Sequence, residues 1–142
     1  MSHHSALITG LMGWLAANDF GVYRESGVYA AAERGIVTGV MPETPAEVVS
    51  ATLYLPEYTR LTPTAGQRLT GSSVQIKYRL VGHPLAGVEF FDSLSALIDG
   101  RTLTLGTLRA AGEYLSYAPL GQVGADAWMF TTNWRLHSLE AL

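Results

Sequence analysis

The chain has 142 residues with 9 Lys+Arg against 12 Asp+Glu, a formal charge of −3, which suffices for one domain and gives no basic excess to argue for nucleic-acid binding. It has no cysteine, which excludes disulfides and thiolate metal sites, and no apolar run approaching the ~18 residues of a membrane span. Charged residues are only 15% of the chain, against about 25% in an average soluble domain. The expectation is that part of the surface is covered by other subunits.

Met1-Ser2-His3-His4 lacks a basic n-region and does not read as a signal peptide; the paired histidines read as a disordered end rather than a metal site. Ser5 to Asn18 is predicted helical, capped by Ser5, with Leu7, Ile8, Leu11, Trp14 and Leu15 forming its apolar stripe. Gly10 and Gly13 weaken it by about 1 kcal/mol each relative to alanine, so it needs packing to hold. Asn18-Asp19-Phe20-Gly21 ends it, and Val28 to Glu33 reads as a short helix or a loop.

Ile36 to Val40 is β-branched and reads as a strand, which Met41-Pro42-Glu43-Thr44-Pro45 stops. Ala46 to Leu55 reads as the next strand, with Val49, Ala51, Leu53 and Leu55 on one face and Ser50, Thr52 and Tyr54 on the other. The segment 56–72, with Arg60, Pro63, Gly66, Arg68 and Gly71, has no periodicity and is expected to be a flexible arm that orders on assembly.

Val74-Gln75-Ile76-Lys77-Tyr78-Arg79-Leu80 alternates without a miss, so it is a strand with one buried and one polar face. Burying Val74, Ile76, Tyr78 and Leu80 contributes roughly 6–10 kcal/mol as an upper bound. A slip of one residue would drive Lys77 and Arg79 into the core, so the register is firmly specified.

Pro84 to Asp99 is the second predicted helix, with Val88, Phe91, Leu94, Leu97 and Ile98 inward, Leu85 and Phe90 beside them, and Glu89, Asp92 and Ser93 outward. Gly100 is placed for a left-handed cap. Thr102 to Leu105 alternates as a strand, Tyr114 to Ala118 reads as extended, and Pro119-Leu120-Gly121 as a turn. In Ala127 to His137, Trp128, Phe130, Thr132, Trp134 and Leu136 share one face, and Met129, Thr131, Asn133, Arg135 and His137 the other. The expected fold is a single two-layer α+β domain: a mainly antiparallel sheet of about four to six strands with both helices packed on one face.

Residue types that carry catalysis are poorly arranged. His83 reads as a helix cap and His137 as a solvated side chain, and neither has metal-ligand spacing. No nucleophile elbow, dinucleotide fingerprint or phosphate-loop lysine is present. Glu113 and Asp126 are carboxylates that sequence alone does not bring together, and Asp126 reads as a turn residue. The expectation is a non-enzyme without cofactor or metal. The polar strand faces are the better lead: Gln75, Lys77 and Arg79 are expected to neighbour Asn133 and Arg135, with Arg60 and Arg68 of the arm joining them as a subunit or tube interface.

The order of four segments resembles the tail terminator proteins of long-tailed bacteriophages, also called minor capsid proteins. These are the helix Ala6-Leu7-Ile8 to Leu15 leading to Gly21-Val22-Tyr23; Met41-Pro42-Glu43-Thr44-Pro45-Ala46-Glu47 with the strand ending at Tyr54; Val74 to Arg79 with the helix after it; and Gly124-Ala125-Asp126 leading into Phe130 to Trp134. The resemblance implies a small α+β subunit of the virion, made in the bacterial host cytoplasm. It implies a homo-hexameric ring at the head-proximal end of the tail. Its partners would be the tail tube protein, whose polymerisation it stops, and the head–tail connector (stopper) protein. DNA would pass through the lumen without sequence-specific binding, and no membrane is involved.

Two alternatives stay open: another neck or tail component, such as a connector stopper or a tail tube subunit, and a small-molecule-binding α+β domain. The latter would place a pocket between helix 84–99 and the sheet, lined by Tyr78, Phe91, Trp128 and Trp134.

Overall fold

The computed structural model describes residues 2–61 and 67–141, with side chains described at 2–57 and 69–140. The elements run α1 (His3–Ala17), β1 (Val22–Tyr23), β2 (Arg34–Val37), β3 (Glu47–Leu55), β4 (Tyr58–Leu61), β5 (Gln67–Val81), α2 (Leu85–Ile98), β6 (Thr102–Leu105), β7 (Leu108–Gln122) and β8 (Ala127–Ala141). They build one eight-stranded sheet of order β1-β2-β3-β5-β8-β7-β6, with β4 paired to β5 off that path. The strand count exceeds the expected four to six. The sheet is mainly antiparallel as expected, but β1–β2 and β2–β3 pair in parallel.

The alternation of Val74 to Leu80 is the middle of a longer strand. β5 runs 15 residues, and its pairing with β8 is unbroken from Gln67–Ala141 to Val81–Ala127. Val74, Ile76, Tyr78 and Leu80 face the core, opposite Trp134, Thr132, Phe130 and Trp128.

Both helices pack on this face. In α1, Leu7, Ile8, Leu11, Met12 and Leu15 are buried. Gly10 is an asset rather than a weakness, because a Cβ there would collide with the Leu105 backbone; its absence lets α1 sit directly on β6. The helix starts earlier than expected, since the Ser2 side chain accepts from the Ser5 N–H at 3.1 Å. That overturns the disordered end. His3 Nε2 lies 3.0 Å from Ser138 Oγ and His4 Nε2 3.0 Å from Ser72 Oγ, so the histidines tie the first turn to β8 and β5.

Over α2 the close approach is made by Gly87, seated against the Phe130 ring, whose carbonyl accepts the Tyr78 hydroxyl at 2.7 Å. The phase of α2 differs from the expected stripe. Gly87, Phe90, Leu94 and Ile98 are buried, whereas Val88 and Leu97 are 41% and 38% exposed. Glycine at position 87 moves the line of closest contact onto itself and rotates Val88 and Leu97 outward. Gly100, at φ +69°, closes the helix in the left-handed conformation expected of it.

Three extended segments also differ. Residues 56–72, expected to be an irregular arm, contain β4 and the start of β5, which pair through Tyr58–Thr70 and Leu61–Arg68. β7 continues through Pro119, where a turn was expected, by absorbing an extra residue between Pro119 and Gly121. β2 ends at Val37, and residues 38–46 form a loop across the outer face of the sheet to reach β3. There the Ser50 hydroxyl donates to Gly39 O at 2.9 Å and the Gly39 N–H donates to Thr52 Oγ1 at 3.2 Å. This crossing shields Val48 and Ser50 on the face opposite the helices.

Candidate functional site

Alternation along β5 and β8 places the polar residues of both strands on the face opposite the helices. Register brings Gln75 opposite Asn133, Lys77 opposite Thr131, Arg79 opposite Met129 and Ser73 opposite Arg135. On the other side of β8, β7 brings Ser116 opposite Asn133 and Glu113 opposite Arg135. Gln75, Lys77, Arg79, Asn133 and Arg135 therefore share one face, as the two alternating segments predicted. Arg60 lies in β4 and Arg68 in β5, and their side chains lie outside the described residues.

The five residues are not equivalent. Arg79 is engaged within the chain: Nε donates to Ala46 O at 2.8 Å, and Nη2 donates to Pro42 O at 2.7 Å, Pro45 O at 2.8 Å and Glu43 O at 3.2 Å. Its guanidinium is the clasp of the 38–46 loop and is not free to meet a partner. Asn133 donates to Ser116 Oγ at 2.8 Å. Among the described residues, Gln75, Lys77 and Arg135 have no side-chain hydrogen bond or ion pair. Arg135 Nε and Thr131 Oγ1 are shielded from solvent and likewise unpartnered. Both atoms are already enclosed by the chain, so the groups of this face that a partner could engage are the side chains of Gln75 and Lys77 and the remaining guanidinium of Arg135.

His137, expected to be solvated, is part-exposed and lies 2.9 Å from Glu113 Oε2 at one end of the face. Asp126 sits in the β7–β8 turn at the opposite end of the strands, so the two carboxylates do not form a pair. His83 caps as expected, its Nδ1 accepting the Leu85 N–H at 3.1 Å.

The helix side carries the opposite chemistry. α2 contains Glu89 and Asp92 and no lysine or arginine, and its exposed residues also include Leu85 and Val88. The proposed pocket beneath α2 is filled. Tyr78 and Trp134 are fully buried, and Phe91 packs on Trp134 with ring centroids 6.1 Å apart. Burial, then the neighbouring Tyr117 and Asp92, push the Tyr78 hydroxyl well above its ordinary range; Tyr117 is raised by burial and by Asp92. Both phenols stay neutral donors at physiological pH.

A cleft does open along the side of α2, lined by Asp19, Arg34, Glu47, Glu89 and Phe90 among others. Two of its charges, Arg34 and Glu47, answer one another. Arg34 donates through Nε (3.1 Å) and Nη2 (3.0 Å) to Glu47 Oε1, Glu47 Oε2 accepts the Val81 N–H at 3.0 Å, and the guanidinium lies 5.3 Å above the Phe90 ring.

No family model and no curated protein matches the chain. A chain in a structure titled "Virion of native gene transfer agent (GTA) particle" overlaps 74% of this chain and 78% of its own length, with a TM-score of 0.45 and 16% identity. An overlap of that extent establishes neither a shared fold nor a shared role. Among the described residues, no helix is long and apolar enough to cross a membrane.

Sequence reasoning found the outer face but not its internal division. Alternation shows which residues share a face, yet the use of Arg79 by a loop more than 30 residues away leaves no local trace. The proline-bounded segment at 41–45 was the available sign that something must fasten it.

Proposed function

We propose that this chain is a structural protein of a virion that works by assembly, as a tail terminator ring at the head-proximal end of a phage tail tube. The observation that carries the reading is the outer face of β5 and β8, where Gln75, Lys77 and Arg135 make no side-chain hydrogen bond or ion pair among the described residues. The ordered segment resemblance to tail terminators supports it, as does the low charged fraction of 15%. In this role no side chain needs to do chemistry. The sheet is a rigid plate that holds polar groups at fixed spacing, and binding to tube and connector follows from shape and charge.

The test is electron microscopy and sedimentation of the purified protein, alone and with polymerising tail tube protein. Closed rings, and tubes whose growth stops at a ring-capped end, are the expected result. A protein that stays monomeric at high concentration and leaves tube growth unchanged overturns the reading. Spontaneous growth into long cylinders would make it a tube subunit instead.

A further inference from the structure

We infer that the occupant of the outer sheet face is the α2 face of a second copy of this chain, so that subunits join head to tail. The inference rests on the assembly reading above and names the two surfaces that meet. The outer face carries cations and α2 carries acids, although Glu113 stands opposite Arg135, where it meets His137, and Arg34 lies over the Phe90 ring of α2. The outer face presents the unpaired cations Lys77 and Arg135, flanking the Gln75–Asn133 pair. They stand about 13 Å apart along the strands, by a rise of ~3.3 Å per residue. The acids of the 24–47 region are partly consumed within the chain, in the Arg24–Glu33 and Arg34–Glu47 bridges. On α2, Glu89 and Asp92 have no basic neighbour on their own helix, and they are exposed.

These two surfaces cannot meet within one subunit. α2 is fastened to the core face by Tyr78 and Phe130, and the cations lie on the reverse of the same strands. The complementary contact is therefore between molecules and heterologous, the geometry that closes into a ring when the rotation between copies allows it. Glu89 and Asp92 lie three residues apart on a helix, which puts them on one side of it. The apolar part of the contact is also present. Leu85 is 60% and Val88 41% exposed beside the acids, an outward pair that an isolated helix layer would hide.

The decisive experiment is a charge exchange. Variant one carries Lys77→Glu and Arg135→Glu; variant two carries Glu89→Lys and Asp92→Lys. Each alone sets like charges against like, and its self-association, read by sedimentation velocity, is expected to weaken roughly 100-fold relative to the parent protein. Mixed in equal amounts, they are expected to reassociate into alternating rings, because each variant's altered face then meets the other's altered face with opposite charge. Misfolded variants would not rescue one another, and circular dichroism of each confirms the fold. The parent association is also expected to weaken as salt rises from ~0.1 M to ~1 M. Rings that persist in either variant overturn the face assignment and leave the ring itself standing. Variants that dissociate and fail to reassociate on mixing also overturn it. Absence of any association in the parent, with or without tube protein, removes both readings.

Discussion

On β5 and β8 the same 15-residue strands present two surfaces. Inward, Val74, Ile76, Tyr78, Phe130 and Trp134 are buried, and ring meets ring at 5.3 Å between Tyr78 and Phe130. The buried polar side chains there are paired among the described residues: the Trp134 indole N–H donates to Thr132 Oγ1 at 2.8 Å, and the Thr132 hydroxyl donates to Ile76 O at 2.7 Å. Outward, Lys77 and Arg135 make no side-chain hydrogen bond or ion pair among the described residues. The inner surface is closed by the chain itself, and on the assembly reading proposed above the outer one is where a partner would meet it. Substitutions should therefore divide into those that unfold the subunit and those that leave it folded but alone.

The largest effect belongs to the inner face. Trp134→Ala removes a fully buried indole together with its contacts to Phe91 and Tyr114 and its hydrogen bond to Thr132, and should cost about 4 kcal/mol in urea unfolding. A loss under ~1 kcal/mol would mean that the core is not where burial places it.

Next comes the glycine on which α2 rests. Gly87→Ala puts a Cβ into the Phe130 ring, and that ring is itself held between Tyr78 and Tyr117. A loss of about 2–3 kcal/mol is expected. Gly13→Ala is the matched control. It is also mid-helix, but a Cβ there meets nothing within 4 Å, so it should raise stability by about 0.5–1 kcal/mol. Equal signs at the two positions would refute the close approach of α2 to the sheet.

The outer face should itself split. Arg79→Met removes hydrogen bonds to four loop carbonyls, and is expected to cost about 1.5–2 kcal/mol and to open residues 38–46 to proteolysis. Lys77→Met, two residues away on the same face, should change unfolding by less than ~0.5 kcal/mol and leave that loop protected. If both behave alike, the division into clasp and open contact is wrong.

How much of this was readable in the sequence depends on the range of the interactions. The strand at Val74 to Leu80 and its counterpart at Ala127 to His137 were legible because alternation is a local property, and register then followed from the buried sets. The helices were legible for the same reason. The phase of α2 was not, because Val88 and Leu97 satisfy helical spacing as well as Gly87 and Phe90 do; only the Phe130 ring beneath Gly87 decides between them. The 56–72 segment looked irregular because β4 is four residues long and its partner stretch, Arg68 to Thr70, carries little alternation of its own. Of the candidate interface, the shared face of Gln75, Lys77, Asn133 and Arg135 was legible. The internal use of Arg79 was not, since it depends on a loop returning from β2.

The smallest expected effect contrasts the unpaired cations with a paired one. Arg24 meets Glu33 through two parallel contacts, Nη1 to Oε1 at 2.6 Å and Nη2 to Oε2 at 2.7 Å, and Glu33 Oε1 also accepts the Ala30 N–H at 2.7 Å. The Arg24 hydrogen bonds first, and that of Ala30 second, hold the Glu33 carboxyl down to about 2. In the unfolded chain a glutamate titrates near ~4.3. The folded state thus binds the proton less readily than the unfolded one. The pair's contribution is fully present above pH ~4.3 and is lost as pH falls through that value toward ~2. Glu33→Gln should lower the unfolding midpoint slightly at pH 7, and the gap to the parent should shrink between pH ~5 and ~2. Salt should narrow it at pH 7 as well, because the pair lies at the surface. The same substitution should leave assembly untouched, since Arg24 and Glu33 belong to neither the outer sheet face nor α2. A gap that widens on acidification would reverse the sign of this linkage and show that the pair does not hold residues 24–33 in place.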